Sequence, residues 1–354
     1  MGGKALVSGS VRLPASRYRI VAASIKAGLR NATQGARIEV IPAYATKIDF
    51  GNLAILIASS SEYSPQALSK HLGAVEVVHN GDVTSLGVVV AEGVFQVDLI
   101  AIPPESFEFA LRYFSYNDMG NVLGRIAHKF GAKFGHLGLQ FPLCDPSNND
   151  RLIAELTITR DFATALTLLG YDANAYEVAR NAEAFRTLPD IFAFAIASPF
   201  VNKSIFHLDN RNHAARVRDA KRPTYSAFLQ WLETQDPETL PAYPWGFPGS
   251  HQRIEQCQGF LERAFNASPA FKADYATALS SHHIKQLVYR QFNGDRVSAL
   301  TGLTGKALGT HMRLVRDSFP TQEEFEAFFS SAPEGQLQSR ILNPPISQRK
   351  DRQN

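Results

Sequence analysis

The chain has 354 residues, enough for two domains with substantial cores. With 45% apolar and 19% charged residues it has the balance of a globular protein, and this excludes a disordered or fibrous one. A net charge of +3 permits an anionic partner without demanding one, so a nucleic-acid surface must come from local clustering. No apolar run reaches the length of a membrane span, and no apolar segment near Met1 reads as a secretion signal. Cys144 and Cys257 are too few and too far apart for a disulfide scaffold or a zinc motif. The expectation is an intracellular, cytoplasmic protein without a membrane partner; oligomeric state is not readable.

In chain order, residues 14–30 read as a helix, with Pro14 in the first turn and Tyr18, Val21, Ile25 and Leu29 on one face. Residues 37–41 alternate as a strand ended by Pro42, and a loop over 43–51 leads into the β-like run 53–58. A short helix is expected over 64–72, then short strands at 75–78 and 86–90 around the turn signal Asn80-Gly81-Asp82. Residues 94–102 form a strand carrying Asp98, closed by Pro103-Pro104, with helices over 105–113 and 119–130. Beyond about residue 145 the helical period dominates, with helices expected over 160–169, 174–188, 224–234, 252–265, 270–293 and 304–318. Segment 236–250 holds four prolines and two glycines and reads as a linker or an ordered surface loop. The tail from Pro344 reads as disordered. The expected organisation is an α+β head over 1–145, a helical substrate-binding domain over 146–343 and a tail over 344–354, with no internal repeat.

Chemistry concentrates in Lys47, in Gly51-Asn52-Leu53-Ala54-Ile55 and in Val97-Asp98-Leu99. Residues 52 and 54 alternate on a strand and face the same side of a sheet. Acids at both positions, with Asp98 on a neighbouring strand, would make a cage for two divalent ions. Such a cage activates a 3′-hydroxyl and stabilises departing pyrophosphate. Only Asp98 is present.

The order of helix, strand, turn and two acidic-type strands resembles the polymerase-β-type nucleotidyltransferase superfamily, and within it a group of fungal and viral proteins. Shared phrases are Gly2-Gly3-Lys4-Ala5, the stretch from Pro42 to Ala54, the pattern Ser115, Tyr116, Asp118, Asn121, Gly124, and the pattern Thr301, Gly302, Gly305, Leu308, Gly309. The resemblance spans most of the chain. It implies a polymerase-β-like head with a mixed sheet and a mainly helical C-terminal body. It also implies transfer of a nucleoside monophosphate from an NTP to an acceptor hydroxyl with Mg²⁺ or Mn²⁺. Asp98 would be the remaining metal ligand and catalytic acid, with Asn52 and Ala54 in the vacated catalytic positions. Loss of both acids amid intact flanks is read first as deliberate inactivation and second as a natural pseudoenzyme. The plain alternative is a buried strand with Asp98 a surface acid.

The superfamily's Gly-Ser turn is replaced here by Pro42-Ala43, which leaves Lys4, Lys47 or the Gly51 backbone as phosphate donors. Tyr116 would stack on a base, with Asn117 or Asp118 reading its edge and Ser115 alongside. The ordinary alternative for Ser115 and Asp118 is a helix N-cap. Gly120 and Gly124 would permit close packing against the sheet. Arg211, Arg218 and Arg222 recur at helical spacing and would track a nucleic-acid backbone, or else form a solvated face paired with Asp209 and Asp219. A glycine turn over 301–309 leads into a helix decorated by Lys306 and Arg313; it would hold a phosphate, or else is a tight inter-helix turn. His282 and His283 are adjacent, point apart on a helix and do not read as metal ligands. The favoured acceptor is an RNA 3′ end. A silent nucleotide- or RNA-binding module, or transfer to a protein or small molecule, are the alternatives.

Overall fold

The computed structural model describes residues 4–33, 36–58, 64–145, 147–181, 185–210 and 213–345. Gly2, Gly3, Arg211 and the tail beyond residue 345, all singled out above, lie outside them.

The two-residue strand β1 (Leu13–Pro14) runs directly into helix α1 (Ala15–Ala32), and Pro14 occupies the N-cap position. Val21, Ala22, Ile25 and Leu29 form its buried stripe at the spacing the sequence shows. Each large side chain in that stripe contributes about 1.5–3 kcal/mol by leaving water. Strand β2 (Ile38–Val40) is followed by β3 (Asp49–Phe50), which pairs with β1, and by β4 (Asn52–Ala58). Helix α2 (Pro65–His71) is capped by the Ser64 side chain. Strands β5 (Glu76–Asn80), β6 (Val83–Val90) and β7 (Gly93–Ile102) complete a five-stranded sheet of order β2-β4-β7-β6-β5. Only β4 and β7 pair in parallel; the other three pairs are antiparallel, so the sheet is mixed.

Alternation divides the two faces. Leu53, Ile55, Ile57, Phe95, Val97 and Leu99 pack with the buried stripe of α1 and with Leu68. Leu56, Ile100 and Ile102 pack on the other side with Phe107 and Ala110 of helix α3 (Phe107–Phe114), which follows a turn of 3₁₀ helix. Helix α4 (Met119–Lys129) comes next.

Strands β8 (Lys133–Gly135), β9 (Gly138–Asp145) and β10 (Asn148–Thr159) form a second, three-stranded sheet. This corrects the expectation that helical period dominates from about residue 145. Leu156 and Ile158 alternate with Glu155, Thr157 and Thr159, a period of two that a strand uses and a helix does not. Helices α5 (Phe162–Leu168), α6 (Ala173–Asn181) and α7 (Leu188–Ala195) follow. The single helix expected over 174–188 is therefore two. Thr187 and Asp190 form a reciprocal capping box, with a proline in the first turn, and this starts a new helix there. Helices α8 (His213–Ala220), α9 (Pro223–Glu233) and α10 (His251–Ala267) flank the proline-rich segment. That segment is an ordered loop: Tyr243 N–H donates to Val201 O at 2.9 Å and Trp245 Nε1 donates to Phe200 O at 3.0 Å.

The last helices are α11 (Pro269–Gln291), α12 (Gly294–Thr301), α13 (Gly305–Asp317), α14 (Gln322–Ser331) and α15 (Glu334–Leu342). The whole is an α+β protein with a mixed sheet and a helical C-terminal region. It packs as two compact units: Met1–Pro142 with Glu155–Lys272, and Leu143–Ala154 with Ala273–Asn354. The expected boundary between head and helical domain lay at 145/146, and that of the tail at 343/344. The core of the second unit is built on Phe292, Val297, Val315, Phe319, Phe325 and Phe329, with Leu337 and Ile341. Among the described residues no helix is long and apolar enough to cross a membrane.

Candidate functional site

Parallel pairing of β4 with β7 sets Ala54 opposite Asp98 and Asn52 opposite Gln96. Because side chains alternate, Asn52, Ala54 and Asp98 share the sheet face that α3 covers only in part. They line a cavity of about 320 Å³ together with Tyr18, Lys47, Asn117, Asp118 and Thr224. Asp98 is 8% exposed, so it is not a surface acid.

Its carboxylate is enclosed by neutral donors. Ser85 Oγ donates to Oδ1 at 2.6 Å, Gln96 Nε2 donates to Oδ1 at 2.8 Å, and Asn52 Nδ2 donates to Oδ2 at 2.5 Å. Ser85 and Gln96 are absent from the sequence reading. Ser85 was findable: a two-residue turn at Ala91-Glu92 pairs Val90 with Gly93, and counting back sets Ser85 opposite Asp98.

These residues do not fit a two-metal cage. Hard divalent ions are held by several carboxylate or phosphate oxygens. Here one carboxylate is present, both its oxygens accept hydrogen bonds, the Asn52 amide turns its NH₂ toward it, and Ala54 offers no ligand atom. Among the described residues no group of three or more His, Cys, Asp or Glu side chains is placed to hold a metal ion.

The cavity also has a basic and aromatic part in Lys47, Phe50 and Tyr18. Lys47 Nζ sits 4.6 Å from the centroid of the Phe50 ring, which stacks on Tyr18 at 3.7 Å. Burial pushes the Lys47 pKa down, Arg12 adds to this, and Asp49 opposes it. Arg12 is the ion-pair partner of Asp49 at 2.5 Å, and their hydrogen bond holds the Asp49 carboxyl below its usual range. The loop before Lys47 is fixed to a distant stretch: Ala45 N–H donates to Phe185 O at 3.1 Å and Thr46 N–H to Arg186 O at 2.8 Å.

Tyr116 and Asn117 both have left-handed backbones, with φ of 59° and 62°. For a residue with a bulky side chain this costs about 1–2 kcal/mol. Three contacts hold the pair there. Tyr116 N–H donates to Pro42 O at 2.8 Å, its ring lies 4.6 Å from that of Phe185, and Asn117 Nδ2 donates to Thr224 Oγ1 at 3.3 Å. Tyr116 is 7% exposed, which leaves little of its ring for stacking on a base. Ser115 and Tyr116 line a neighbouring cavity of about 380 Å³ with Arg19, Arg112 and Arg180, and the two cavities share Pro42 and Ala43.

Neither Ser115 nor Asp118 caps a helix N-terminus through its side chain. Ser115 Oγ donates back to Leu111 O at 2.6 Å at the end of α3. Asp118 stands at the N-cap of α4, but its carboxylate accepts from Arg222 Nη1 at 2.7 Å. Arg222 also lies 3.6 Å from the fully buried Asp219, and Arg218 lies 3.3 Å from the same carboxylate. Gly120 packs on α3 and not on the sheet, since a Cβ there would lie 2.3 Å from Tyr113 O; Gly124 does approach β8, where a Cβ would lie 3.4 Å from Phe134 O.

The remaining residues lie apart from this cavity. Lys4 is exposed, and next to it Ala5 N–H donates to Gln96 Oε1 at 2.9 Å. Gly51 is buried, and its carbonyl accepts from Ser10 Oγ at 3.4 Å. Lys306 and Arg313 are exposed on α13, in the second unit. Gly302 there is a left-handed C-cap, so residues 302–304 make a tight turn between α12 and α13. Comparison with protein-family models and with curated proteins returns no match to this chain.

Proposed function

We propose that the cavity beside Asp98 is the nucleotide pocket of a nucleotidyltransferase-type protein whose metal-holding acids are missing. The present chain binds a nucleotide there and does not transfer it. With the acids in place, the same pocket would move a nucleoside monophosphate from an NTP to an acceptor hydroxyl, an RNA 3′ end being the favoured acceptor. One observation carries this reading. Positions 52, 54 and 98 meet on one face of an adjacent strand pair at a cavity wall, the placement that a two-ion centre of the polymerase-β type needs. Lys47 supplies positive charge to the cavity, and Asn117 supplies an amide carbonyl to read a base edge.

The test compares the present chain with the variant Asn52→Asp/Ala54→Asp. Each is given labelled NTPs, Mg²⁺ or Mn²⁺, and RNA, DNA and protein acceptors. Label transfer by the double variant alone, with NTP binding by both, is the expected result. Neither binding nor transfer by two folded proteins would remove the reading. Binding by both without transfer would leave a nucleotide-binding module, the second reading. That reading is favoured by the way Asp98 is already satisfied by neutral donors.

A further inference from the structure

The second unit carries a cavity of about 620 Å³ that plays no part in the reading above. Its floor is Asp145, 3% exposed at the end of β9. The Asp145 carboxylate accepts from Ser147 N–H at 2.9 Å, Ser147 Oγ at 2.7 Å and Gln286 Nε2 at 3.0 Å, and it lies 3.0 Å from His282 Nε2. The negative charge is thus used up within the floor. On the rim stand Arg151 of β10 and Lys285 and Arg290 of α11, all three exposed. None of the three has an ion-pair partner among the described residues. Tyr289, 72% exposed, stands beside them.

We infer that this cavity binds single-stranded nucleic acid, its phosphates held by Arg151, Lys285 and Arg290 and a base stacked on the Tyr289 ring. Three uncompensated cations on a rim attract a polyanion. An open aromatic ring between them adds the sequence-tolerant stacking that distinguishes a strand from a simple anion. Gln286 follows His282 on α11 by four residues, and Tyr289 and Arg290 follow Gln286 by three and four, so one rigid helix presents floor and rim together. An anionic membrane surface is the competing polyanion. It needs a convex apolar face to insert, and this site is concave.

The site is tested on the full chain by fluorescence anisotropy with short labelled single-stranded RNA and DNA over a range of salt. The variants are Arg151→Gln/Lys285→Gln/Arg290→Gln, Tyr289→Ala and Tyr289→Phe. The triple variant is expected to lose about tenfold or more in affinity and to flatten the logarithmic salt slope by about two. Tyr289→Ala is expected to lose roughly tenfold, with Tyr289→Phe close to the unmodified chain. All substituted side chains are exposed, so melting curves should be unchanged. NTP binding by the first cavity, measured on the same triple variant, should also be unchanged, which separates failure here from failure there. Equal oligonucleotide binding by the triple variant overturns the inference. So does binding to phosphatidylserine vesicles without binding to either oligonucleotide.

Discussion

Asp98 is a charge held inside a sheet by three neutral donors, and that arrangement predicts a loss of stability from removing the charge and from crowding it. Asp98→Ala strands the Ser85, Gln96 and Asn52 donors in a buried place and should cost about 2–3 kcal/mol in chemical denaturation. A loss under half of that would mean the donors find water. Asn52→Asp/Ala54→Asp should also destabilise the apo protein, by about 1–3 kcal/mol, because it sets two like charges against Asp98. Mg²⁺ should return that loss to the double variant and do nothing for the present chain. A melting temperature of the variant that ignores both Mg²⁺ and chelator would show that no cage forms.

Helix α4 is positioned by its first turn. A Cβ on Gly120 would lie 2.3 Å from Tyr113 O and 2.7 Å from the Tyr113 ring, neither of which can yield without parting α3 from α4. Gly120→Ala is therefore expected to cost about 1–3 kcal/mol and to weaken nucleotide binding, since Asp118 and Asn117 enter the cavity from the turn just before. Unchanged stability in urea titration would mean the helices slide apart freely. At α7, Thr187→Ala removes one half of a reciprocal capping box and should cost about 1 kcal/mol, with no effect on the cavity beside Asp98.

The first unit is discontinuous, and this has a consequence for fragments. A chain ending at residue 145 keeps the five-stranded sheet but loses Phe185, Arg186, Arg222 and Thr224, which hold the loop before Lys47 and the turn at Asn117 and Asp118. Residues 1–145 alone are expected to give poorly dispersed amide NMR spectra; a well-dispersed spectrum would contradict the packing described. In the second unit the Asp145 carboxyl is held down to about 2, chiefly by the hydroxyl and amide of Ser147, with His282 adding to it. A carboxyl with a depressed pKa contributes stability above the ordinary carboxylate range and loses it as pH falls from that range through about 2. Asp145→Asn should therefore lower the melting temperature at neutral pH, with the difference closing toward the acid limit. A difference that persists there would assign the effect to packing and not to charge.

By itself the sequence determined most of the local elements of the first hundred residues, though not the short pair β1 and β3, which the loop over 43–51 concealed. The amphipathic period of α1 and the alternation of β4 and β7 are properties of neighbouring residues, and alternation alone puts positions 52 and 54 on one face. The meeting of that face with Asp98 was legible too, given parallel pairing of the two strands. The capping box at Thr187 and the period of two in β10 were also written in the chain, but weaker helical signals around them masked both. Only the tertiary structure decided the rest, because it depends on residues far apart along the chain. Arg222 draws Asp118 away from a capping role across 104 positions of sequence. Asp145 meets His282 across 137 positions, and the cationic rim forms only once Lys285 and Arg290 of α11 reach the cavity that Arg151 also lines. No periodicity reports such pairings, since each is fixed by the packing of whole elements and not by the spacing of residues within one.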